Sequence, residues 1–180
     1  MSDPQASGLR NADLLGIYCN DHLASSTGGI ELVSRMLGTH RGGRWEEPLQ
    51  QLLAELRDEK ASLLATMAAM GYPVRQYKQL GTWVGEKLGY LKLNGRLFSR
   101  SPLSNLVEFE FLASAVRAKR SGFETLRIAA EVESRLDKTE LDRLIDQANA
   151  QFEWLTRARR EVAADVFGGR AQAADRTADG

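Results

Sequence analysis

The histidines and the single cysteine are the first side chains to consider for chemistry, because both residue types bind metals. Cys19 and His22 are three residues apart, which places them on one face of a helix, where both could bind zinc. Two ligands from one helix make half of a zinc site, and no other Cys or His is obviously paired with them. Alternatively, Asp21 and His22 interrupt an apolar stripe, and the buried histidine is satisfied by a carboxylate, Glu59 or Glu110. We favour this second interpretation.

Glu110 is the carboxylate in the most unusual position, because it lies on an otherwise apolar helical face. It could bind a metal ion. It could instead pair with an interior base such as Lys60 or Arg117, since a buried acid without a partner is costly. Phosphate-binding and nucleophile motifs are absent: the chain has no Gly-x-x-x-x-Gly-Lys-Ser, no Gly-x-Ser-x-Gly and no Gly-x-Gly-x-x-Gly.

Four long stretches could position these side chains. Apolar residues recur at spacings of three and four, which predicts helices over about 12–37, 48–71, 102–130 and 138–166. Start and stop signals fit these limits, among them a capping-box arrangement that opens with Asp137. The chain is rich in Leu and Ala and poor in Val and Ile, which also favours an all-α protein.

The lengths of the connections predict how the helices are joined. The first two helices are separated by about ten residues and the last two are also closely joined, so each pair should form an antiparallel hairpin. Residues 72–101 are long enough to run the length of a bundle and contain a short amphipathic run, which predicts a short helix there. Two hairpins joined by one long crossover is the connection pattern of ferritin-like four-helix bundles. We expect one domain over 12–167, with disordered tails at 1–11 and 168–180.

Three short stretches, 17–23, 92–96 and 101–106, resemble a family of bacterial ferritin-like proteins of uncharacterised function. The wider resemblance to the ferritin-like superfamily covers residues 12–167. Di-iron and di-manganese members of that superfamily use a Glu from each of two helices and a Glu-x-x-His from each of the other two. The resemblance therefore implies a possible iron or manganese site in the bundle core.

The metal-ligand pattern of the superfamily is not met. The residue three before His22 is Cys19, and the residue three before His40 is Leu37, so neither histidine completes Glu-x-x-His. Facing residues of the first hairpin should have numbers that sum to about 85, which places Ser25, Glu59 and Ser62 at ligand positions. The third and fourth helices place Glu110 and Gln151 at the corresponding level. Two carboxylates are too few to neutralise two divalent ions, so we expect no cofactor. If a metal site exists, Glu59 and Glu110, helped by His22, would form it.

Charge is balanced, with 24 basic and 24 acidic residues, which excludes a generally polybasic or polyacidic surface. The crossover is nevertheless basic, and aromatic residues are interleaved with its cations. Residues 73–101 could therefore contact nucleic acid or an anionic membrane. We favour packing of this segment against the acidic second helix. The N-terminus lacks the features of a signal peptide and no stretch is long enough to span a bilayer, so we expect a cytoplasmic protein.

Three functional classes follow. The favoured one is a non-enzymatic ferritin-like bundle that acts as a structural or binding protein and self-associates, with a dimer as the first expectation. The second is an iron- or manganese-binding oxidase or iron-handling protein with an altered site. The third is a binding module for an anionic partner that uses the basic crossover.

Overall fold

The computed structural model describes residues 4–75 and 102–168, with side chains described within 14–75 and 103–168. Over these ranges all regular structure is helical, which confirms the all-α prediction. The helices are α1 (Pro4–Thr39), α2 (Glu46–Ala69), α3 (Pro102–Ala129) and α4 (Lys138–Phe167). Within these ranges, no helix has the length and apolar character needed to cross a membrane.

The helix limits agree with the sequence pattern except at the start of α1. This helix begins at Pro4, so residues 4–11, which the sequence predicts as part of a tail, are helical. Helix α2 begins at Glu46, two residues before Pro48. The short helix predicted in the crossover, and the predicted tail from residue 169 onwards, lie outside the described residues.

The start of α4 is set by a local signal. The Asp137 carboxylate accepts hydrogen bonds from the backbone N–H groups of Thr139 and Glu140, at 2.9 and 3.1 Å. These N–H groups have no partner inside the helix, so the cap satisfies them. The predicted cap at Asp137 is therefore confirmed.

The end of α2 is set by a glycine. Gly71 has a φ of 71°, a left-handed conformation that suits glycine. Its N–H donates to the carbonyl of Ala68, and the Tyr72 N–H donates to the carbonyl of Met67. This pair of bonds is the Schellman motif that closes helices at a glycine.

Asn20, a buried residue of α1, holds the segment that follows α2 against α1. The Asn20 amide donates to the carbonyls of Gly16 and Pro73, at 2.8 and 3.0 Å, and accepts from the Arg75 N–H at 2.7 Å. Asn20 is only 2% exposed, so these bonds satisfy a polar side chain within the core.

The apolar core consists of two clusters of buried side chains. The first core cluster draws on all four helices: Leu32, Val33, Met36, Leu49, Leu52, Leu53, Leu56, Leu106, Phe109, Leu112, Ala113, Val116, Leu155, Ala158 and Val162. The second core cluster also includes the turn before α4: Cys19, Leu23, Leu63, Met67, Met70, Phe123, Leu126, Ala130, Leu136, Leu141, Leu144 and Ala148. A layer of polar side chains lies between the two clusters.

Candidate functional site

The polar layer consists of Glu55 and Glu59 of α2, Lys119 of α3 and Gln151 of α4. The Lys119 Nζ atom donates to Glu59 Oε2 and to Gln151 Oε1, both at 2.5 Å. The Gln151 Nε2 atom donates to Glu55 Oε2 at 2.7 Å and to Glu59 Oε1 at 2.9 Å. These four side chains join three helices through one continuous hydrogen-bond network.

The helical repeat explains why these side chains face the interior. Glu59, Lys119 and Gln151 each lie three or four residues along their helix from a residue of the first core cluster and from a residue of the second. They therefore lie on the same helical face as both clusters. The flanking pairs are Leu56 and Leu63 for Glu59, Val116 and Phe123 for Lys119, and Ala148 and Leu155 for Gln151. The side chains of Glu59 and Lys119 are only 4% and 18% exposed, so the layer is a polar interruption of a continuous apolar stripe.

Burial dominates the electrostatics of Lys119. Removal of its ammonium from water lowers the pKa of Lys119, and the charges of Glu59 and Glu55 oppose that shift. The Gln151 amide contributes both functions that the layer needs, since its oxygen accepts from Lys119 and its nitrogen donates to the two carboxylates. Every one of these side chains thereby has a hydrogen-bond partner within the layer, whose two carboxylates face one ammonium.

This donor set does not suit a di-metal centre. A ferritin-like di-metal site needs carboxylates and imidazoles that converge on two cations. Here the Lys119 ammonium already occupies the position between Glu59 and Gln151, and its positive charge would repel a metal ion there. Within 14–75 and 103–168, no three His, Cys, Asp or Glu side chains cluster closely enough to hold a metal ion.

Of the three proposed metal ligands, only Glu59 lies in the polar layer. The Glu110 side chain is 47% exposed, and its Oε1 atom lies 3.7 Å from Arg159 Nη1. The expectation that Glu110 is an interior acid paired with Lys60 or Arg117 is therefore wrong. Helix α3 is rotated so that Phe109, next to it in sequence, faces the core.

His22 lies against α3 rather than beside a carboxylate of the polar layer. A Cβ atom built on Gly122 would come within 2.3 Å of the His22 ring, so the imidazole packs directly on the glycine backbone. The rings of Tyr18 and His22 also lie 4.6 Å apart. Burial lowers the pKa of His22, and the neighbouring Asp21 partly opposes this shift. The His22 imidazole, packed on the Gly122 backbone, is part of the interface between α1 and α3.

Cys19 does not complete a zinc site with His22. The thiol is fully buried, and burial raises the pKa of Cys19 to about 11. Zinc binds the thiolate, which this environment disfavours. Cys19 instead packs in the second core cluster with Leu23 and Met67.

The remaining polar positions of α1 and α2 singled out from the sequence lie away from the polar layer. Ser25 is exposed and donates to a backbone carbonyl of its own helix. Ser62 donates to Glu140 Oε1 at 2.9 Å. Lys60 donates to Thr27 Oγ1 at 2.9 Å, and these two residue numbers sum to 87, close to the sum of about 85 expected for facing residues.

Two charged side chains that face the interior, the half-buried Lys119 and the buried Glu108, were not identified from the sequence. Lys119 was missed because a lysine is rarely buried, although its position between Val116 and Phe123 places it on the core stripe. Glu108 was noted only as a neighbour of Glu110, yet its side chain is 4% exposed and accepts from Arg35 Nη2 at 3.0 Å. The helical spacing could have located both, because Glu108 is four residues before Leu112 and Lys119 is three residues after Val116.

Comparisons with protein-family models, with curated proteins and with solved structures find no match to this chain. The proposed anionic-partner surface consists of residues 73–101, of which only 73–75 are described.

Proposed function

We propose that this chain is a ferritin-like helical bundle without di-iron catalysis that acts as a structural or binding protein. The observation that carries the proposal is the Lys119 ammonium, hydrogen-bonded to Glu59 and Gln151 in the polar layer. A protein cation there takes part of the role that a metal ion plays in catalytic members, because it offsets carboxylate charge in the bundle interior.

Contacts at the two ends of the bundle support the ferritin-like connection. At one end, the Phe109 ring near the start of α3 lies 5.5 Å from Trp45 before α2 and 6.5 Å from Trp154 in α4. At the other end, Arg135 Nη1 of the turn before α4 donates to the carbonyl of Met70, just after α2. Helix α2 thus ends at the opposite end of the bundle from the start of α3. This placement of the two helix ends supports a connection of the ferritin-like kind.

Metal content tests the proposal. Protein purified without chelator and reconstituted anaerobically with ferrous iron and manganese should retain far less than one ion per chain after desalting. Two ions per chain, lost in Glu59→Ala but kept in the exposed control Glu110→Ala, would overturn it in favour of the oxidase or iron-handling alternative. Elemental analysis of wild type and both variants measures this directly.

Self-association is a further part of the proposal. Ile128 and Val132, at the end of α3 and just beyond it, are 73% and 93% exposed. Single exposed aliphatic side chains are common in monomers, so the support here comes from two of them within four residues of each other in the sequence. Sedimentation equilibrium should give a dimer mass for wild type and a lower association constant for Ile128→Lys.

A further inference from the structure

A groove of about 420 Å³ lies between α2 and α4 at the end of the bundle that contains Trp45. Its volume lies within the range of sites that bind small organic molecules. Its apolar walls include Trp45 and Trp154, and Glu55 and Gln151 connect it to the polar layer. The groove therefore combines aromatic surface with a polar interior edge.

The aromatic walls are held in place from within the core. Phe109 is fully buried, and its ring contacts both tryptophans, at centroid distances of 5.5 Å for Trp45 and 6.5 Å for Trp154. Both tryptophans remain partly exposed, so each has aromatic surface available on the groove side. Rigid aromatic surface lowers the entropic cost of binding, because little side-chain freedom is lost.

The groove favours positive charge. Glu47, Glu55 and Glu161 line it, against one basic side chain, Arg157. Glu55 is also held in position, since Gln51 Nε2 donates to its Oε1 atom at 2.9 Å and Gln151 Nε2 donates to its Oε2 atom at 2.7 Å. The lining residues alone carry two more negative than positive charges, and Arg44, which is not part of the lining, pairs with one of them, Glu161.

A cation of the chain itself already binds at this end. The Arg44 guanidinium carbon lies 4.6 Å from the centroid of the Trp45 ring, a cation–π contact. The same guanidinium forms ion pairs with Asp165 and with Glu161, the latter at 3.8 Å. Aromatic surface and carboxylates here therefore cooperate in holding a cation, and Trp45 and Glu161 of this contact also line the groove.

We propose that the groove binds a linear aliphatic polyamine, an inference that rests on the proposed role of the chain as a binding protein. Glu47 and Glu55 are eight residues apart on α2, about 12 Å along a helix axis. A polyamine of the length of spermidine can place ammonium groups near both carboxylates. The methylene segments between its ammonium groups would lie on Trp45 and Trp154, so both the charge pattern and the apolar walls are used.

Isothermal titration calorimetry of the full chain with spermidine tests this inference. Wild type should bind one spermidine saturably. Glu47→Gln/Glu55→Gln should weaken binding at least tenfold, because it removes both anchoring charges while it keeps the side-chain size. The matched control Glu110→Gln/Glu153→Gln makes the same change in net charge on exposed residues outside the groove and should bind within twofold of wild type. Far-UV circular dichroism of each variant verifies that the helices are retained.

Three results would overturn the inference. They are the absence of saturable binding to wild type, equal weakening in both double variants, and complete displacement of spermidine by millimolar Mg²⁺, which lacks an apolar segment. The last two would reveal only general attraction to an acidic surface. Metal content measured on the same wild-type sample separates this failure from failure of the proposed function, because only uptake of iron or manganese contradicts a non-catalytic bundle.

Discussion

The polar layer and the ion-pair cluster at the α3–α4 turn use the same kinds of side chain at similar distances. At the turn, Arg127 pairs with Glu131 at 2.6 Å and with Asp142 at 2.9 Å, and Lys138 pairs with Glu131 at 2.7 Å. The surroundings differ, because Glu131 and Asp142 are each 58% exposed whereas Glu59 is 4% exposed. Hydrogen-bond length alone therefore says little about what either group contributes to stability.

The pKa shifts show how burial changes the balance. At the turn, hydrogen bonds from Lys138 and Arg127 lower the pKa of Glu131, so the partners decide the direction. In the polar layer, burial lowers the pKa of Lys119 even though Glu59 favours its charged form. Water compensates a broken pair at the turn, but it cannot do so in the core.

Glu59→Leu should have the largest effect on stability. It leaves the Lys119 ammonium buried without its carboxylate partner, so we expect a loss of about 3–5 kcal/mol in the free energy of unfolding. Urea denaturation followed by circular dichroism measures it. The control Glu110→Leu changes an exposed residue and should stay within about 0.5 kcal/mol of wild type.

The double variant Glu59→Leu/Lys119→Met sharpens the same comparison. It removes both charges of the pair, so it should be more stable than Glu59→Leu alone, since the unpaired buried charge is gone. If the double variant instead loses the sum of the two single losses, the pair is not coupled. The polar layer would then resemble the turn cluster energetically despite its burial.

Gly122→Ala should cause the next largest loss in the free energy of unfolding. Its new Cβ would lie 2.3 Å from the His22 ring, so the imidazole or the helix must shift, at a cost of about 1–3 kcal/mol. Gly29→Ala is the matched control, because nothing lies within 4 Å of its Cβ position. That change should instead stabilise the protein by up to about 1 kcal/mol through helix propensity. Thermal denaturation should therefore shift in opposite directions for the two variants.

Asp137→Ala tests a contribution of the turn that does not depend on ion pairs. Loss of the cap leaves the N–H groups of Thr139 and Glu140 without the carboxylate, which should cost about 1 kcal/mol. Asp137→Asn should retain most of the stability, because its side-chain oxygen can still accept both bonds. Equal loss in both variants, measured by urea denaturation, would mean that charge rather than capping matters there.

Local signals in the sequence predicted the elements well. Asp137 and Gly71 determine helix ends through bonds to residues only a few positions away, so the sequence contains all the information needed. The early start of α1 at Pro4 was missed because residues 4–11 carry no apolar periodicity that would indicate a helix.

The contents of the polar layer were harder to predict, because they depend on how each helix is rotated against its neighbours. Apolar residues of α3 occupy two faces, and the choice of Glu110 as the interior acid assumed a rotation that the structure does not have. The actual rotation buries Glu108 and turns the half-buried Lys119 toward the interior. Their partners, Arg35 and Glu59, come from helices distant in sequence, so no local pattern could have revealed the pairs.

Glu131→Gln should have the smallest effect on stability, and it completes the comparison of the turn with the polar layer. The variant keeps the side-chain size and leaves Arg127 with Asp142, so water and the remaining partner compensate the lost charge. We expect denaturation midpoints that cannot be told apart from wild type at 150 mM salt, with a small loss only at low ionic strength, where screening is weaker. A large loss that persists at high salt would contradict this, and would mean that exposed pairs at the end of the bundle hold α3 and α4 together as strongly as the buried layer does.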